Sequence, residues 1–426
     1  MISADEAWQR IACRTAPLGL ERVARRAAAG RVLAAPLAAT LDVPGADVSA
    51  MDGYAVAGEV VAGERRPVAA TVAAGDPPGL ALPPGHAIRI MTGAPVPLGA
   101  DRVIPVEATT REPPGEATPT GGAGGAGGAA AGAAGQETVI LRAPAAAGEH
   151  IRRRGEVQRA GQPLLAAGAL LTPGALALLA THGYGELPVH RAPRVAVLAT
   201  GDEVVPPDQL PGPGQLRDSH TDFLLAAGAT LGLRFTPLGI APDRAPELAA
   251  LVGTGLASAD VLLICGGVSM GEFDLVEGVL AGAGCQRHFD AVAVQPGKPL
   301  VFATHPGGLV FGLPGNPASV MVDFWLFVRP ALARLAGRED AWWRPAVPAT
   351  LAGPLPGTGA RDRFLAAEVR WGAAPDGGPL ARPLPPKGSH DLDSYARGTA
   401  LVRVRPGSPP AAAGARCEIL PLPPPL

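Results

Sequence analysis

The sequence predicts a multidomain protein of the α/β plus β class, with a central α/β domain built on a parallel sheet. Its 426 residues correspond to about three domains. Between residues 192 and 335, short apolar runs alternate with helical patterns, which is typical of a parallel sheet covered by helices on both faces. Before and after this region, short apolar runs alternate with glycine and proline turns, which is typical of small β domains.

The region before residue 192 is expected to contain a helical part and a β-rich part. Residues 5–35 carry apolar positions at helical spacing and predict one or two helices. Between residues 40 and 110, runs such as 67–72 and 86–91 are separated by glycine and proline turns and predict a small β-rich domain. A further helical stretch is predicted at 172–182.

A low-complexity segment interrupts this β-rich region. Residues 113–136 consist mainly of Gly, Ala and Pro, and such a segment buries too little apolar surface to offset the entropy cost of ordering it. We therefore expect a flexible surface loop without catalytic residues. The predicted domains are a discontinuous helical and linker domain (1–43 and 146–191), a β-rich inserted domain (44–145), the α/β domain (192–335) and a small C-terminal β-barrel (336–426).

Strands and helices alternate along the α/β domain. Continuous apolar runs predict its strands at 194–199, 234–240, 259–265, 299–304 and 309–313. Helical patterns lie between them, at 219–231 with Asp218 or Ser219 as the cap, at 243–257 and at about 274–283. A last helix begins at Pro317 with Asn316 as its N-cap and runs to about Arg334, because proline is favoured at the first helical position.

Charge and cysteine content exclude several classes of protein. The 36 basic and 38 acidic residues give a net charge of −2, which argues against a nucleic-acid-binding protein. The four cysteines lie far apart and form neither a CxxC pair nor a disulfide framework, so we expect free thiols. The N-terminal segment lacks the apolar region of a signal peptide, and no apolar run reaches the roughly 18 residues of a membrane span. We expect a cytoplasmic protein with no membrane or nucleic-acid partner.

Glycine turns with acidic or hydroxyl side chains follow three strands of the α/β domain. Their sequences are TGDE at 200–203, GGVSMGEFD at 266–274 and LPGNPAS at 313–319. In an open α/β sheet, ligands bind beyond the carboxyl ends of the strands. Glycines let backbone N–H groups approach an anion, and carboxylates suit a divalent cation. Three such turns on one edge favour a phosphate-bearing ligand with a metal ion, and the alternative is a set of ordinary turns and helix caps.

Further motifs lie outside these turns. Lys298 in PGKP (296–299) is one of only two lysines among 36 basic residues, which indicates a retained function or, as the alternative, a solvated surface charge. MDGYA (51–55) and MTGAP (91–95) each join a polar residue to a glycine turn and would separately be ordinary turns. Neither motif is a Walker loop or a dinucleotide-binding fingerprint.

Together, seven motifs occur in a characteristic order. They are MDGYAV (51–56), IRIMTGAPVP (88–97), HIRRRGE (150–156), TGDEV (200–204), GGVSMGEFD (266–274), PGKP (296–299) and GLPGNPAS (312–319). With this set the chain resembles the MoeA type of molybdopterin molybdenumtransferases and is similar to the E domain of gephyrin. The resemblance runs from about residue 5 to the C-terminus, apart from 113–136.

The resemblance implies both an architecture and an activity. It implies an elongated homodimer of four-domain subunits, with a molybdopterin-binding α/β domain and active sites shared between the subunits. The implied reaction is the last step of molybdenum cofactor synthesis, in which molybdate enters adenylylated molybdopterin with Mg²⁺-dependent release of AMP. We also expect contacts with other cofactor-synthesis proteins or with apo-molybdoenzymes.

Matching motif positions carry the family's functional residues onto this sequence. The implied catalytic residues are Asp52, Glu203, Asp218, Asp274 and Lys298, of which Glu203, Asp218 and Asp274 would hold Mg²⁺. The implied substrate-binding residues are Thr92, Thr200, Gly201, Gly266, Gly267, Ser269, Gly315, Asn316, Arg361 and Ser389. Arg361 and Ser389 are assigned to molybdate or substrate. Asp52 and Thr92 of one subunit would face the α/β domain of the other.

The chain departs from the family pattern at several polar positions. Val157 replaces an acid, His220 replaces an asparagine, and Ala291 and Gln295 stand where some members have lysines. These losses favour an alternative, a non-catalytic protein that binds molybdopterin or the finished cofactor, and the intact glycine loops oppose it. A third alternative is the adenylylating step, performed by a smaller related α/β family. The additional β domains oppose this assignment.

Overall fold

The computed structural model describes residues 1–112, 137–267 and 275–423. The predicted flexible loop at 113–136 lies outside the described residues. The chain divides into two compact units. The larger unit comprises Met1–Ala35, Ala167–Ala177 and Gly185–Leu426, and the smaller unit comprises Pro36–Ala166 and Leu178–Tyr184. Among the described residues, no helix combines the length and the apolar composition that crossing a bilayer would require.

The helices of the described chain are short. They are α1 (Ala4–Ala12), α2 (Pro173–Thr181), α3 (His220–Thr230), α4 (Ala245–Ser258), α5 (Leu275–Gly282), α6 (Pro317–Asp323), α7 (Arg329–Leu335) and α8 (Leu392–Arg397). Single 3₁₀ turns lie at Arg25–Ala27 and Val106–Ala108, and a π-helical turn at Phe324–Val328 joins α6 to α7.

Strands occur in three stretches of the described chain. The first stretch contains β1 (Leu20–Ala24), β2 (Leu37–Ala38), β3 (Val48–Ser49), β4 (Gly53–Val56), β5 (Glu64–Val72), β6 (Ala87–Ile90), β7 (Arg102–Pro105), β8 (Thr109–Glu112), β9 (Thr138–Leu141), β10 (Ile151–Arg152) and β11 (Pro163–Leu165). The second contains β12 (Glu186–His190), β13 (Val195–Thr200), β14 (Val204–Val205), β15 (Leu216–Arg217), β16 (Phe235–Ala241), β17 (Val261–Cys265), β18 (Gln286–Phe289), β19 (Val294–Gln295), β20 (Val301–His305) and β21 (Gly308–Leu313). The third contains β22 (Val347–Leu351), β23 (Asp362–Arg370), β24 (Leu380–Pro383), β25 (Ala400–Val404) and β26 (Arg416–Pro421).

The smaller unit is built on a sheet with the strand order β7-β4-β6-β5-β9-β8. Its two faces are packed by separate apolar clusters, one containing Tyr54 and Val56 and the other Ala55, Ile88 and Ile90. Neighbouring residues of β4 therefore point to opposite faces, as a pleated strand requires. The apolar runs predicted at 67–72 and 86–91 form β5 and β6, so the β-rich domain is confirmed.

In the larger unit, the central sheet has the order β16-β13-β17-β21-β20-β18. The strands β16, β13, β17 and β21 run parallel, whereas β20 and β18 are antiparallel to their neighbours. The sheet is thus mixed, and the prediction of a parallel sheet was wrong for these two strands. A turn between His305 and Gly308 joins β20 to β21, and so short a connection permits only antiparallel pairing.

Helices cover both faces of this sheet. Val195 and Val197 of β13 pack in a cluster with Leu224 of α3, whereas Ala196 and Leu198 pack in a cluster with residues of α4 and α5. Every residue of β13 is buried, which explains the continuous apolar run in the sequence. The carboxyl ends of β13, β17 and β21 consequently meet at one edge of the sheet.

A closed five-stranded barrel follows the α/β region in the larger unit. Its strands pair in the circular order β23-β24-β22-β26-β25, and β25 returns to β23. The predicted C-terminal barrel is confirmed. β19, which belongs to the preceding region, adds in parallel to β23 through the pairs Val294↔Asp362 and Gln295↔Arg363. This pairing places the PGKP segment that follows β19 beside the barrel.

The N-terminal region contains one helix rather than two. Residues 5–12 lie in α1, but residues 20–24 form β1, which pairs antiparallel with β12. Pro17 and Gly19 separate the two elements and end the helical pattern. Burial then alternates along β1, with Glu21 and Val23 less exposed than their neighbours.

Candidate functional site

Three of the predicted glycine turns begin at the carboxyl ends of β13, β17 and β21, which we call the sheet edge. Gly266 follows β17 with φ +94°, and a Cβ atom built there would lie 2.6 Å from the carbonyl oxygen of Thr200. Only glycine fits this position. A Cβ atom on Gly315 would lie 4.0 Å from Cα of Gly266. The structure thus brings together Thr200, Gly266 and Gly315, with Gly201 and Gly267 as their chain neighbours.

Asp243 is a residue of the sheet edge that the sequence interpretation missed. It follows β16, the strand beside β13, and accepts hydrogen bonds from Thr200 Oγ1 (3.1 Å) and from the backbone N–H of Asp202 (3.3 Å). Asp202 in turn accepts a hydrogen bond from the backbone N–H of Asp243 (3.1 Å). These bonds fix the turn after β13. The sequence signal that could have identified Asp243 is its position two residues after the end of β16.

The predicted metal ligands occupy different surroundings. Asp218 is buried and caps α3, because its Oδ1 accepts hydrogen bonds from the backbone N–H groups of His220 (3.0 Å) and Thr221 (3.1 Å). Glu203 is exposed and its carboxylate lies over Gly201. Asp274 lies outside the described residues, and so does Ser269, which was predicted to bind substrate. The described part of the chain contains no group of three or more His, Cys, Asp or Glu side chains able to hold a metal ion.

His220, at the first position of α3, stands beside this capping aspartate. Burial lowers the pKa of His220, so the imidazole is neutral at physiological pH. Its Nε2 atom is buried and makes no hydrogen bond within the described ranges 1–112, 137–267 and 275–423. A neutral imidazole at this position supplies no charge to the sheet edge.

A second cluster of predicted residues lines a cavity of about 330 Å³ between the loop 296–299, α6 and the barrel. We call it the cation pocket and define it by Lys298, Arg361, Arg363, Asn316, Ser319 and Ser389. Lys298, Arg361 and Arg363 are half-buried. None of the three forms an ion pair with a described carboxylate, and no described Asp or Glu lines the cavity. Three cations without counter-charges create a site for an anion.

Local pairing explains how this pocket forms. Gln295 pairs with Arg363 across β19 and β23, so the loop that carries Lys298 lies beside the barrel strand. The backbone N–H of Ala318 donates a hydrogen bond to the carbonyl oxygen of Ser389 (3.1 Å), which ties α6 to the segment before α8. Asn316 is the N-cap residue of α6, as predicted, but its side chain makes no capping hydrogen bond. Its amide is therefore available to a ligand.

The larger cavity on the barrel differs from the cation pocket in its charges. This barrel cavity of about 810 Å³ is lined by Arg403, Arg405 and Arg416, among other residues. Arg405 pairs with Glu418 (2.7 Å) and Arg416 pairs with Asp376 (2.5 Å). Arg403 pairs with a buried aspartate of β23 (2.6 Å). All three arginines of the barrel cavity are thus neutralised by the protein.

In the smaller unit, the structure brings Asp52 and Thr92 together. Asp52 Oδ1 accepts hydrogen bonds from the backbone N–H (2.6 Å) and the hydroxyl (2.7 Å) of Thr92. These bonds hold the pKa of Asp52 below its usual value, so Asp52 is ionised. Both residues are exposed. Val157, where the sequence lacks an expected acid, is 70% exposed.

Family models match nearly the whole chain. "MoeA N-terminal region (domain I and II)" matches residues 2–183, "Probable molybdopterin binding domain" matches 196–334, and "MoeA C-terminal region (domain IV)" matches 348–422. A molybdopterin molybdenumtransferase of Synechococcus elongatus is 40% identical over 340 residues, covering 76% of this chain and 78% of the relative. Molybdopterin molybdenumtransferase 2 of Mycobacterium tuberculosis is 34% identical over 405 residues, 92% of each chain. The chain belongs to the MoeA family of molybdopterin molybdenumtransferases.

Solved structures agree with membership of the MoeA family. The molybdopterin biosynthesis MoeA protein of Pyrococcus horikoshii is 29% identical and superposes with a TM-score of 0.79, covering 99% of both chains. The family predicted from the motifs is thereby confirmed, and with it a transferase class that acts in molybdenum cofactor biosynthesis.

Two residues that line the cation pocket of this MoeA-family member, Ser319 and Arg363, were not predicted from the sequence. Ser319 lies in the GNPAS motif, where only the glycine and asparagine had been singled out, and it is 4% exposed. Arg363 is the second residue of β23 and Arg361 immediately precedes the strand, so the two side chains flank Asp362 and both line the pocket. The signal for Arg363 was this period of two, and it is visible only once the strand is assigned.

Proposed function

We propose that this protein is a molybdopterin molybdenumtransferase that inserts molybdenum from molybdate into adenylylated molybdopterin and releases AMP. The observation that carries the proposal is the cation pocket, in which Lys298, Arg361 and Arg363 have no described acidic partner. Molybdate is a dianion with four oxygen acceptors. Cationic and hydroxyl donors are the groups that bind such oxyanions in proteins.

Each side of the pocket contributes a different kind of donor. Lys298 and the two arginines offset the charge of molybdate, and one such contact at about 4 Å in a surface-like dielectric is worth about 4 kcal/mol of Coulomb energy. Ser319, Ser389 and Asn316 donate hydrogen bonds that orient the oxyanion. The arrangement holds molybdate in a defined place and thereby favours its transfer.

The sheet edge would bind the diphosphate of adenylylated molybdopterin. Glycine turns at strand ends suit phosphate oxygens because they let backbone N–H groups approach an anion, and Gly267 is the exposed residue among Thr200, Gly201, Gly266 and Gly267. Gly315 contacts Gly266 and immediately precedes Asn316 of the cation pocket. The phosphate site and the molybdate site would therefore adjoin through the segment 315–316, which supports transfer between two bound substrates.

Mg²⁺ is the metal ion that the reaction is proposed to use. Glu203, Asp218 and Asp274 would hold it, since carboxylate oxygens are preferred ligands of Mg²⁺. When bound, the ion would neutralise the phosphoanhydride and the AMP that leaves. Oδ1 of Asp218 accepts both capping hydrogen bonds, which leaves Oδ2 without a capping bond, and the carboxylate of Glu203 is exposed.

We further propose a homodimer in which Asp52 and Thr92 complete the site of the other subunit. Both residues are exposed and held together by two hydrogen bonds, as a preformed contact would require. Contacts with other cofactor-synthesis proteins or apo-molybdoenzymes would complete the route of the cofactor.

A second candidate function is non-catalytic binding of molybdopterin or the finished cofactor. Ala291 and Gln295 favour it because they remove lysines from the segment before the cation pocket. However, Ala291 is 7% exposed and does not line the pocket. Arg363 pairs directly with Gln295 and supplies a cation at the same place. This compensation favours the enzyme.

The test is AMP release by the purified full chain with adenylylated molybdopterin, Mg²⁺ and molybdate. We expect release of one AMP per pterin that depends on molybdate, and no release by the protein-free control. The matched variant is Arg405→Ala, which removes an exposed cation of the barrel cavity and should release AMP like the wild type. Tight pterin binding without AMP release would support the non-catalytic alternative and overturn the proposal.

A further inference from the structure

Asp323, the last residue of α6, is a buried carboxyl group without a partner. Its relative exposure is 0%, and neither Oδ1 nor Oδ2 makes a hydrogen bond within the described residues. Burial raises the pKa of Asp323 well above its usual range, because the low-dielectric interior disfavours the charged form. A buried polar group of this kind costs free energy unless it has a role or a partner.

The Asp323 carboxyl lies directly against the loop that carries Lys298. Gly297 has φ +109°, and a Cβ atom built there would lie 2.3 Å from Asp323 Oδ1 and 3.0 Å from Oδ2. The carboxyl group thus occupies the space that a side chain at position 297 would take. Any movement of Asp323 changes the support beneath Lys298.

Helix geometry connects Asp323 to the floor of the cation pocket. Asn316, Ser319 and Asp323 are spaced by three and four residues, so they follow one face of α6. Asn316 and Ser319 line the pocket, and Asp323 lies about 6 Å further along the helix axis. The π-helical turn begins immediately after Asp323, and such turns are frequent at functional sites.

Among the described residues, no charged side chain balances Asp323. The elements packed against α6 are α3, α8, β21 and the π-helical turn. Their ionisable residues are His220, Asp222, Asp393, Tyr395 and Arg397, and the adjoining loop adds Lys298. Burial is the sole cause of the raised pKa of Asp323, so none of these groups acts on it appreciably. The carboxyl group is therefore held by packing against Gly297 and not by an ion pair.

We propose that Asp323 is a positioning residue that supports the 296–299 loop from behind Gly297 and so places Lys298 in the cation pocket. The proposal rests on the proposed function, because it takes the pocket to bind an oxyanion. Asparagine keeps the size and planar shape of this carboxyl group, whereas a larger apolar residue would press on Gly297 and shift the loop. A charged one would add a negative group behind the oxyanion.

The test compares Asp323→Asn with Asp323→Leu in the full chain. Both variants remove the buried acid, but asparagine keeps the size and shape of aspartate, whereas leucine is larger and apolar. Calorimetric titration with sodium molybdate should give Asp323→Asn an affinity within about threefold of wild type and Asp323→Leu an affinity at least tenfold lower. Thermal unfolding checks that both variants fold, and Asp323→Leu should unfold at the same or a higher temperature. A structural filler would leave the affinity of both variants unchanged, and that result overturns the proposal.

Hydrogen exchange of the loop separates this proposal from the proposed function. The backbone amide of Lys298 should exchange at least fivefold faster in Asp323→Leu than in wild type without any anion, and at the wild-type rate in Asp323→Asn. If the wild type fails to bind molybdate but this difference appears, the proposed ligand is wrong and Asp323 still positions the loop. Equal exchange in all three proteins overturns the positioning role whatever the ligand, as does a wild-type molybdate affinity in Asp323→Leu. If Asp323→Leu does not fold, Asp323→Val, which is apolar and smaller than leucine, replaces it under the same criteria.

Discussion

The cation pocket and the barrel cavity each contain three basic side chains, but among the described residues only those of the barrel cavity have acidic partners. The barrel cavity is also the larger of the two, at about 810 Å³ against about 330 Å³. Cavity volume alone would therefore select the barrel cavity, whose arginines already have acidic partners, as the binding site. Since a folded chain tends to pair its buried charges, the three uncompensated cations mark the site that a ligand completes.

The same strand separates the two kinds of charge. Arg361 and Arg363 flank Asp362, and side chains alternate along β23. The arginines therefore line the cation pocket, while Asp362 points away from it and pairs with Arg403 of the barrel. Arg403 also lies 4.5 Å from the centroid of the Trp342 ring. On one side of β23, Asp362 therefore stabilises the barrel, and on the other side the arginines are available to a ligand.

The largest expected effect is on the free energy of unfolding, through the ion pair between Arg403 and Asp362. Arg403→Ala leaves Asp362 buried without a counter-charge and removes the stacking on Trp342. Breaking a buried ion pair in this way should lower the free energy of unfolding by about 3–5 kcal/mol. Urea unfolding followed by tryptophan fluorescence measures it. The control is Arg405→Ala, whose exposed pair with Glu418 should contribute about 0–1 kcal/mol. Equal losses in the two variants would contradict the distinction.

On the ligand side, Arg361→Ala should weaken molybdate binding without destabilising the fold. A hydrogen bond to a charged group contributes about 1.5–3 kcal/mol, so the dissociation constant should rise by about 10- to 150-fold. Calorimetric titration with molybdate provides the measurement, and Arg405→Ala again serves as the matched control, with an affinity within about twofold of wild type. If both arginines affect binding alike, the charge imbalance does not mark the site.

A smaller effect is expected on the pH dependence of stability, and it involves two buried acids. Asp362 forms an ion pair, whereas neither carboxyl oxygen of Asp323 has a hydrogen-bond partner among the described residues. Because burial raises the pKa of folded Asp323 above its unfolded value near 3.8, the folded state retains a proton that the unfolded state releases. This contribution to stability is complete below pH 3.8 and declines as pH rises toward the folded pKa, by about 1.4 kcal/mol per pH unit. Asp323→Asn should lack this decline.

Unfolding free energies of wild type and Asp323→Asn at pH 5, 6 and 7 check this sign. The variant should gain stability relative to wild type at each step. Parallel curves would mean that Asp323 is ionised in the folded state, and the account of an uncharged support under Lys298 would then be wrong.

Sequence patterns were sufficient for the elements but not for every pairing. The alternation of short runs and helical patterns in 192–335 predicted β13, β16, β17, β20 and β21, and the continuously apolar runs of β13 and β17 reflect their complete burial. The antiparallel direction of β20 depends on the two-residue connection between His305 and Gly308, a feature of turn length and not of periodicity. Residues 20–24 became a strand because β12, distant in sequence, offers a partner.

Residues of the candidate site could be predicted from the sequence where they lie in a recognisable motif. Lys298, Arg361 and Ser389 were singled out, and all three line the cation pocket. Arg363 joins them through pairing of β19 with β23, a contact that local sequence does not reveal. Asp323 could not be recognised either, because a single acid in an apolar helix predicts exposure, whereas the structure buries it against Gly297.

The most direct test of the central claim is to locate molybdenum in crystals of the full chain soaked in molybdate. Anomalous scattering at the molybdenum absorption edge identifies the metal without ambiguity. We predict a peak inside the cation pocket, with its oxygens within hydrogen-bond distance of Lys298 and Arg361, and no peak there in crystals of Arg361→Ala. A peak confined to the barrel cavity or the sheet edge, or an occupied pocket in the variant, would contradict the account.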